Sequence, residues 1–130
     1  MVHCAADRQR AVQPLKTVLF ERTLTLGENI GDYSGVVIVF KAYRRSLGGK
    51  PSSVLDGLTG EQRFYIGFGI KYRSLQREDA SLLQIKTDPH SPGEFRVRGT
   101  LANQPGFYEA FGIHPGDKMC LQPEQRVIMW

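Results

Sequence analysis

Apolar and polar positions divide the chain into segments of helical pattern separated by breaks rich in proline and glycine. Residues 25–47 contain no proline and run into Gly48-Gly49-Lys50-Pro51, a strong stop signal. Thr25 and Glu28 match a capping box, in which threonine caps the helix start and glutamate reaches back. Within this segment Val36-Val37-Ile38-Val39-Phe40 has strand propensity, while length and the lack of breakers favour a buried helix. The residues alone leave both open. Thr59 and Gln62 repeat the capping-box pattern, and Phe64, Phe68, Tyr72 and Leu75 follow at helical spacing. Gly67 and Gly69 weaken that helix or let another element pack closely. A shorter helix is predicted at about 78–86, with Leu82, Leu83 and Ile85 as its apolar side. Residues 87–100 read as a loop around Asp88-Pro89-His90-Ser91-Pro92-Gly93. A last helix is predicted at about 104–111, carrying Phe107, Tyr108 and Phe111, and the tail from Gly112 to Trp130 reads as irregular. His114-Pro115-Gly116-Asp117 within it is a turn. Residues 1–24 carry the weakest pattern, with a short helix over Gln9–Glu21 interrupted at Pro14.

Composition narrows the classes. A length of 130 residues fits one domain, and 41% hydrophobic residues argue against disorder. The net charge of +4 permits an anionic partner, but the basic residues are scattered without a long run, so no nucleic-acid partner is expected. The N-terminal residues lack the charged region followed by an apolar core that marks a secretory signal, and no apolar stretch is long enough to cross a bilayer. As written, the chain is expected to stay where it is made. Cys4 and Cys120 lack the paired spacing of a zinc ribbon or redox motif, and two free thiols are favoured over a disulfide.

Candidate chemistry begins at Glu28 and Asp32. Four residues apart, both carboxylates leave the same face of a helix, where one could ligate a metal and the other orient a neighbouring ligand. The wording of this stretch, Gly27-Glu28-Asn29-Ile30-Gly31-Asp32, resembles the Gly-Glu-Asn-Ile-Ala-Asp of the neprilysin and endothelin-converting-enzyme family of zinc metallopeptidases. Further anchors follow in the family's order: Gln62 to Phe68, Thr87 to Val97, Gly99-Thr100-Leu101-Ala102-Asn103 and the final Trp130. The likeness covers about residues 23–130, read as a neprilysin-like C-terminal peptidase segment, and leaves 1–22 unassigned. Departures are also clear. The glycine pair after the aspartate is Ser34-Gly35, and the ending Cys-x-Val-Trp is replaced by Arg126-Val127-Ile128-Met129-Trp130, so no terminal disulfide is carried over to Cys120. No His-Glu-x-x-His occurs in the 130 residues.

The resemblance implies a mainly α fold, the C-terminal helical portion of a zincin-type catalytic domain. It implies zinc as cofactor and Glu28 as a metal ligand. Asp32 would accept a hydrogen bond from a zinc-bound histidine, though by its position alone it reads as a helix-surface carboxylate. His90, between Pro89 and Pro92, would donate to the oxyanion of the transition state. Arg96 would grip a substrate carbonyl. Two function classes follow. One is part of a peptide-hydrolysing zinc endopeptidase, inactive alone because the two histidine ligands are not in this chain. The other is a non-catalytic helical remnant or interaction module. Family members usually act outside the cytoplasm; the residues here leave localisation open. The long helix, lacking the zinc helix it packs against in the family, is expected to leave apolar area around Ile30, Val37 and Phe40 uncovered and to favour self-association.

Overall fold

A computed structural model describes residues 22–129. The helix expected over Gln9–Glu21, the Cys4 thiol and the terminal Trp130 lie outside the described residues. The order is α1 (Arg22–Ser46), α2 (Gly60–Lys71), α3 (Glu78–Thr87), α4 (Gly93–Leu101), α5 (Pro105–Phe111) and a 3-10 turn at Pro123–Gln125. The only strand-like pairing among the described residues is an isolated bridge, Leu55 to Leu58, closed by Asp56 and Gly57 at positive φ. The mainly α expectation holds.

The 25 residues of α1 span roughly 37 Å. The Val36–Phe40 run is helical, but only part of it is covered: Val36 is 5% exposed, whereas Ile38 and Val39 are 57% and 56% exposed. Thr25, Tyr33 and Val36 are buried along one face of α1, with the partly buried Asn29, Asp32 and Phe40 at helical spacing beside them. The opposite face carries Gly27, Gly31 and Gly35, where a Cβ would meet nothing within 4 Å. The uncovered apolar area therefore centres on Ile38 and Val39, with Ile30 at 38%, while Phe40 packs into the core. The expected capping box at Thr25 is not what starts the helix. Thr25 lies three residues inside α1, and the Glu28 carboxylate meets His90 instead.

α2 opens on the predicted box: Thr59 Oγ1 accepts from Gln62 N–H at 3.2 Å, and Gln62 Oε1 accepts from Thr59 N–H at 2.9 Å. The helix ends at Lys71, so Leu75 lies beyond it and is fully exposed, contrary to its expected place on the apolar face. In α3, Ile85 is buried while Leu83 is 62% exposed, which narrows the expected apolar side. Residues 93–101 are helical rather than loop. The loop signals stop at Pro92-Gly93; beyond them Phe95 N–H bonds Pro92 O at 2.9 Å, and Glu94 pairs with Arg98 one turn on at 2.8 Å.

α1 packs on α4, and α2 lies against both α4 and α5. Val36, Tyr65 and Leu101 form the buried centre. Phe40, Phe64 and Phe107 surround Tyr65 at ring separations of 4.8, 5.2 and 5.6 Å. Gly106 permits this closeness: a Cβ there would lie 2.6 Å from the Tyr65 hydroxyl and run into the Phe40 ring. The irregular tail is fixed by side chains. Tyr108 Oη accepts from Leu121 N–H at 2.6 Å and lies 2.8 Å from Ala102 O, Tyr33 Oη donates to Val127 O at 2.7 Å, and Asn103 Oδ1 accepts from Val127 N–H at 2.8 Å. The 114–117 turn forms as predicted, with Asp117 N–H on His114 O at 3.1 Å.

Candidate functional site

The four candidate residues come from three places in the chain and meet on one side of the α1–α4 contact. Glu28 and Asp32 project one turn apart from α1. His90 sits in the turn between α3 and α4, and Arg96 lies in the first turn of α4.

The outer half of this cluster is a carboxylate–imidazole–carboxylate chain. His90 Nε2 is 3.1 Å from Glu28 Oε2, and His90 Nδ1 is 2.8 Å from Asp88 Oδ1. Asp88 Oδ1 also accepts the backbone N–H of His90 at 2.8 Å, closing a small Asx-type turn around Pro89. These bonds, the backbone one foremost, hold the Asp88 carboxyl below its ordinary pKa. Glu28 and His90 side chains are 47% and 41% exposed, so this half faces solvent.

The inner half is drier. Asp32 and Arg96 are 10% and 16% exposed. Arg96 Nε and Nη2 donate to the two oxygens of Asp32 at 2.5 and 2.8 Å, a two-pronged pairing of guanidinium and carboxylate. The Asp32 hydrogen bonds push the Arg96 pKa upward. Tyr72 Oη donates to Asp32 Oδ1 at 2.8 Å, and the Arg96 guanidinium lies 4.7 Å from the centre of the Tyr72 ring. Asp32 is thus not the exposed carboxylate that its position suggested.

Glu28 with His90 and Asp32 with Arg96 are therefore in direct contact. Two neighbours were missed. Asp88 carried a local signal, an aspartate two residues before the amide it binds within a proline-bracketed loop. Tyr72 carried none beyond its apolar spacing, because its hydroxyl partner is 40 residues away. As for metal, a catalytic zinc takes three protein ligands. Among the described residues no group of three or more His, Cys, Asp or Glu side chains could hold one, and the one imidazole here has a carboxylate at each nitrogen. This donor set does not fit a catalytic zinc by itself. Cys120 is a free thiol, and no described helix is long and apolar enough to cross a membrane.

Comparison with known proteins gives the family of this helical segment. The model of peptidase family M13 matches residues 1–127. Neprilysin-3 of Drosophila melanogaster is 37% identical over 110 residues, which is 82% of this chain and 14% of that protein. Human endothelin-converting enzyme 1 is 38% identical over 109 residues, with the same shares of 82% and 14%. The structure of the Mycobacterium tuberculosis zinc metalloprotease Zmp1 in its open state matches 99% of this chain and 21% of that one, at 36% identity and a TM-score of 0.91. The chain thus spans about one seventh of the length of these curated relatives. Over the matched span its sequence is similar to theirs and its helical fold to that of Zmp1, and the chain belongs to peptidase family M13, the neprilysin and endothelin-converting-enzyme family of zinc metallopeptidases.

Proposed function

We propose that this chain is the C-terminal part of a zinc metalloendopeptidase site that hydrolyses peptides once a His-Glu-x-x-His segment completes it, and that alone it is inactive. The observation that carries the reading is the meeting of Glu28, Asp32, His90 and Arg96, drawn from α1, the turn before α4 and α4 itself. Glu28 is the exposed carboxylate of the group and serves as one zinc ligand. Asp32 orients a neighbouring histidine ligand from the completing segment as well as Arg96. His90 is held by Asp88 at Nδ1, and its Nε2, which rests against Glu28 here, would serve an oxyanion once Glu28 turns to the zinc. Arg96 uses two of its five N–H groups on Asp32 and keeps the rest for a peptide carbonyl. Zinc, when bound, supplies Lewis acidity and a more acidic water. Ile38, Val39 and Ile30 form the face through which a completing segment docks or, without one, two copies associate.

The test is reconstitution with a separately expressed fragment carrying His-Glu-x-x-His. Peptide cleavage should appear and zinc should be retained. Glu28→Ala should abolish both, and His90→Ala should lower kcat about a hundredfold with zinc still bound. Arg96→Ala should mainly raise KM. Full cleavage by the Glu28→Ala complex would overturn the assignment, and a docked, zinc-loaded complex without cleavage would favour a non-catalytic helical module. In calorimetric titration the chain alone should bind zinc weakly; tight one-to-one binding lost in Glu28→Ala would contradict this.

A further inference from the structure

We propose that Tyr72 is a positioning residue that sets the plane of Arg96 for the peptide carbonyl, a role that rests on the reading of Arg96 as a substrate-binding residue. Two constraints from one side chain support it. The phenol O–H reaches Asp32 Oδ1 at 2.8 Å, the same oxygen that accepts from Arg96 Nη2 at 2.8 Å. That bond fixes the carboxylate against which the guanidinium lies edge-on. The Tyr72 ring then lies against the guanidinium, with Arg96 Cζ 4.7 Å from its centre. An edge contact and a ring contact together leave the guanidinium little freedom to swing or tilt.

Tyr72 is itself held on three sides. It caps the C-terminal end of α2, with its N–H on Gly69 O at 3.2 Å, while the next N–H, that of Arg73, reaches Ile70 O at 3.0 Å. Its ring meets Phe68 at 5.3 Å and 69°, and Lys71 Nζ lies 4.9 Å from the same ring. Its backbone also seats the start of α4, since a Cβ on Gly93 would come within 2.6 Å of Tyr72 O. Gly93 and Arg96 are three residues apart on α4, so Tyr72 touches that helix twice within one turn. Apolar packing alone requires neither the hydroxyl bond nor the guanidinium contact.

The experiment follows the Arg96 Nε–H signal of the purified chain by NMR hydrogen exchange. Arg126 is the internal reference, because its Nε donates to Leu121 O at 3.0 Å and its guanidinium lies 4.1 Å from the Tyr108 ring, with no contact to Tyr72. Tyr72→Phe keeps the ring and removes the donor, and exchange at Arg96 should rise roughly fivefold. Tyr72→Leu removes both contacts, and the rise should be about tenfold or more, with Arg126 unchanged in both variants. Equal acceleration at Arg96 and Arg126, or none at Arg96 in Tyr72→Phe, overturns the proposal. If Tyr72→Leu does not fold, Tyr72→Phe decides alone. In the reconstituted peptidase Tyr72→Leu should raise KM several-fold at unchanged kcat, in step with Arg96→Ala. A raised KM in Arg96→Ala but not in Tyr72→Leu overturns the positioning role, whereas an unchanged KM in Arg96→Ala overturns the substrate-binding reading of Arg96 and, with it, Tyr72's part in peptide binding.

Discussion

Replacing Gly27, Gly31 and Gly35 together by alanine should stabilise this chain. All three lie within α1, are exposed, have no positive φ, and present open space where the new methyl would go. Alanine therefore adds no clash; it removes backbone freedom from the unfolded chain, worth about 0.4–1 kcal/mol per site. Three such sites give about 2 kcal/mol in total, to which the helix preference for alanine points in the same direction. In urea, with a slope of about 1.5 kcal/mol per molar, the midpoint should move up by roughly 1.3 M. The thermal midpoint should rise by about 8 °C. Helical circular dichroism in a urea series reads the first value directly. An unchanged or lowered midpoint would show that something not bonded to α1 already fills this face, or that the helix bends there. The same substitution should act with opposite sign on assembly. The distance between packed helices depends on the side chains at their contact, so added methyls hold a docking helix further away. A variant that is more stable alone and weaker in reconstitution is the expected pair of results.

Gly106→Ala is the opposite case: its methyl would meet Phe40 and the Tyr65 hydroxyl, and overpacking should cost about 1–3 kcal/mol, so an unshifted urea midpoint would contradict the described packing. Asp32→Ala strands a largely buried guanidinium and should cost on the order of 3 kcal/mol, whereas a loss under 1 kcal/mol would mean that Arg96 finds water at once. Acid should also weaken the fold in a defined window. The Glu61 carboxyl is held below its ordinary 4.5, chiefly by the Ser52 hydroxyl, and Asp88 below its ordinary 3.8 by the His90 amide. A depressed folded pKa contributes stability that is complete above the ordinary value and is lost as pH falls through the lowered one. Stability should therefore fall below about pH 4.5, and Glu61→Gln should flatten that fall; an identical acid slope in the variant would refute it.

The legible parts of this fold were those with local causes. The Thr59–Gln62 cap, the 114–117 turn and the stop at Gly48-Gly49 each arise from residues a few positions apart, and each formed. The Thr25–Glu28 pattern met the same local rule and failed, because the preceding residues from Arg22 are already helical and Glu28 has a partner 62 residues away. The loop expected over 87–100 gives way to helix from Gly93 onward, because Pro92-Gly93 open a helix there. Within the site, helical spacing placed Glu28 and Asp32 on one face, and the family likeness singled out His90 and Arg96. Their pairing was not legible. The Asp32–Arg96 fork joins residues 64 apart, and Tyr72 reaches Asp32 across 40, separations at which no periodicity in the chain carries information. The exposure of Ile38 and Val39 was hidden for another reason: a continuous apolar run does not say which of its members the core will cover.

The stretch after α5 has almost no regular structure of its own, and its order is borrowed. Val127 is tied at its carbonyl to Tyr33 and at its amide to Asn103, while Leu121 is tied to Tyr108. Tyr33 is the residue after Asp32, so the tail at Val127 is fastened to the helix position next to the site. This has a practical side. An affinity tag, a fluorophore or a surface tether joined at the C-terminal end would transmit strain through Val127 into α1 beside Asp32. A handle placed at the exposed Gly48-Gly49 turn, at the far end of α1, would leave that fastening alone.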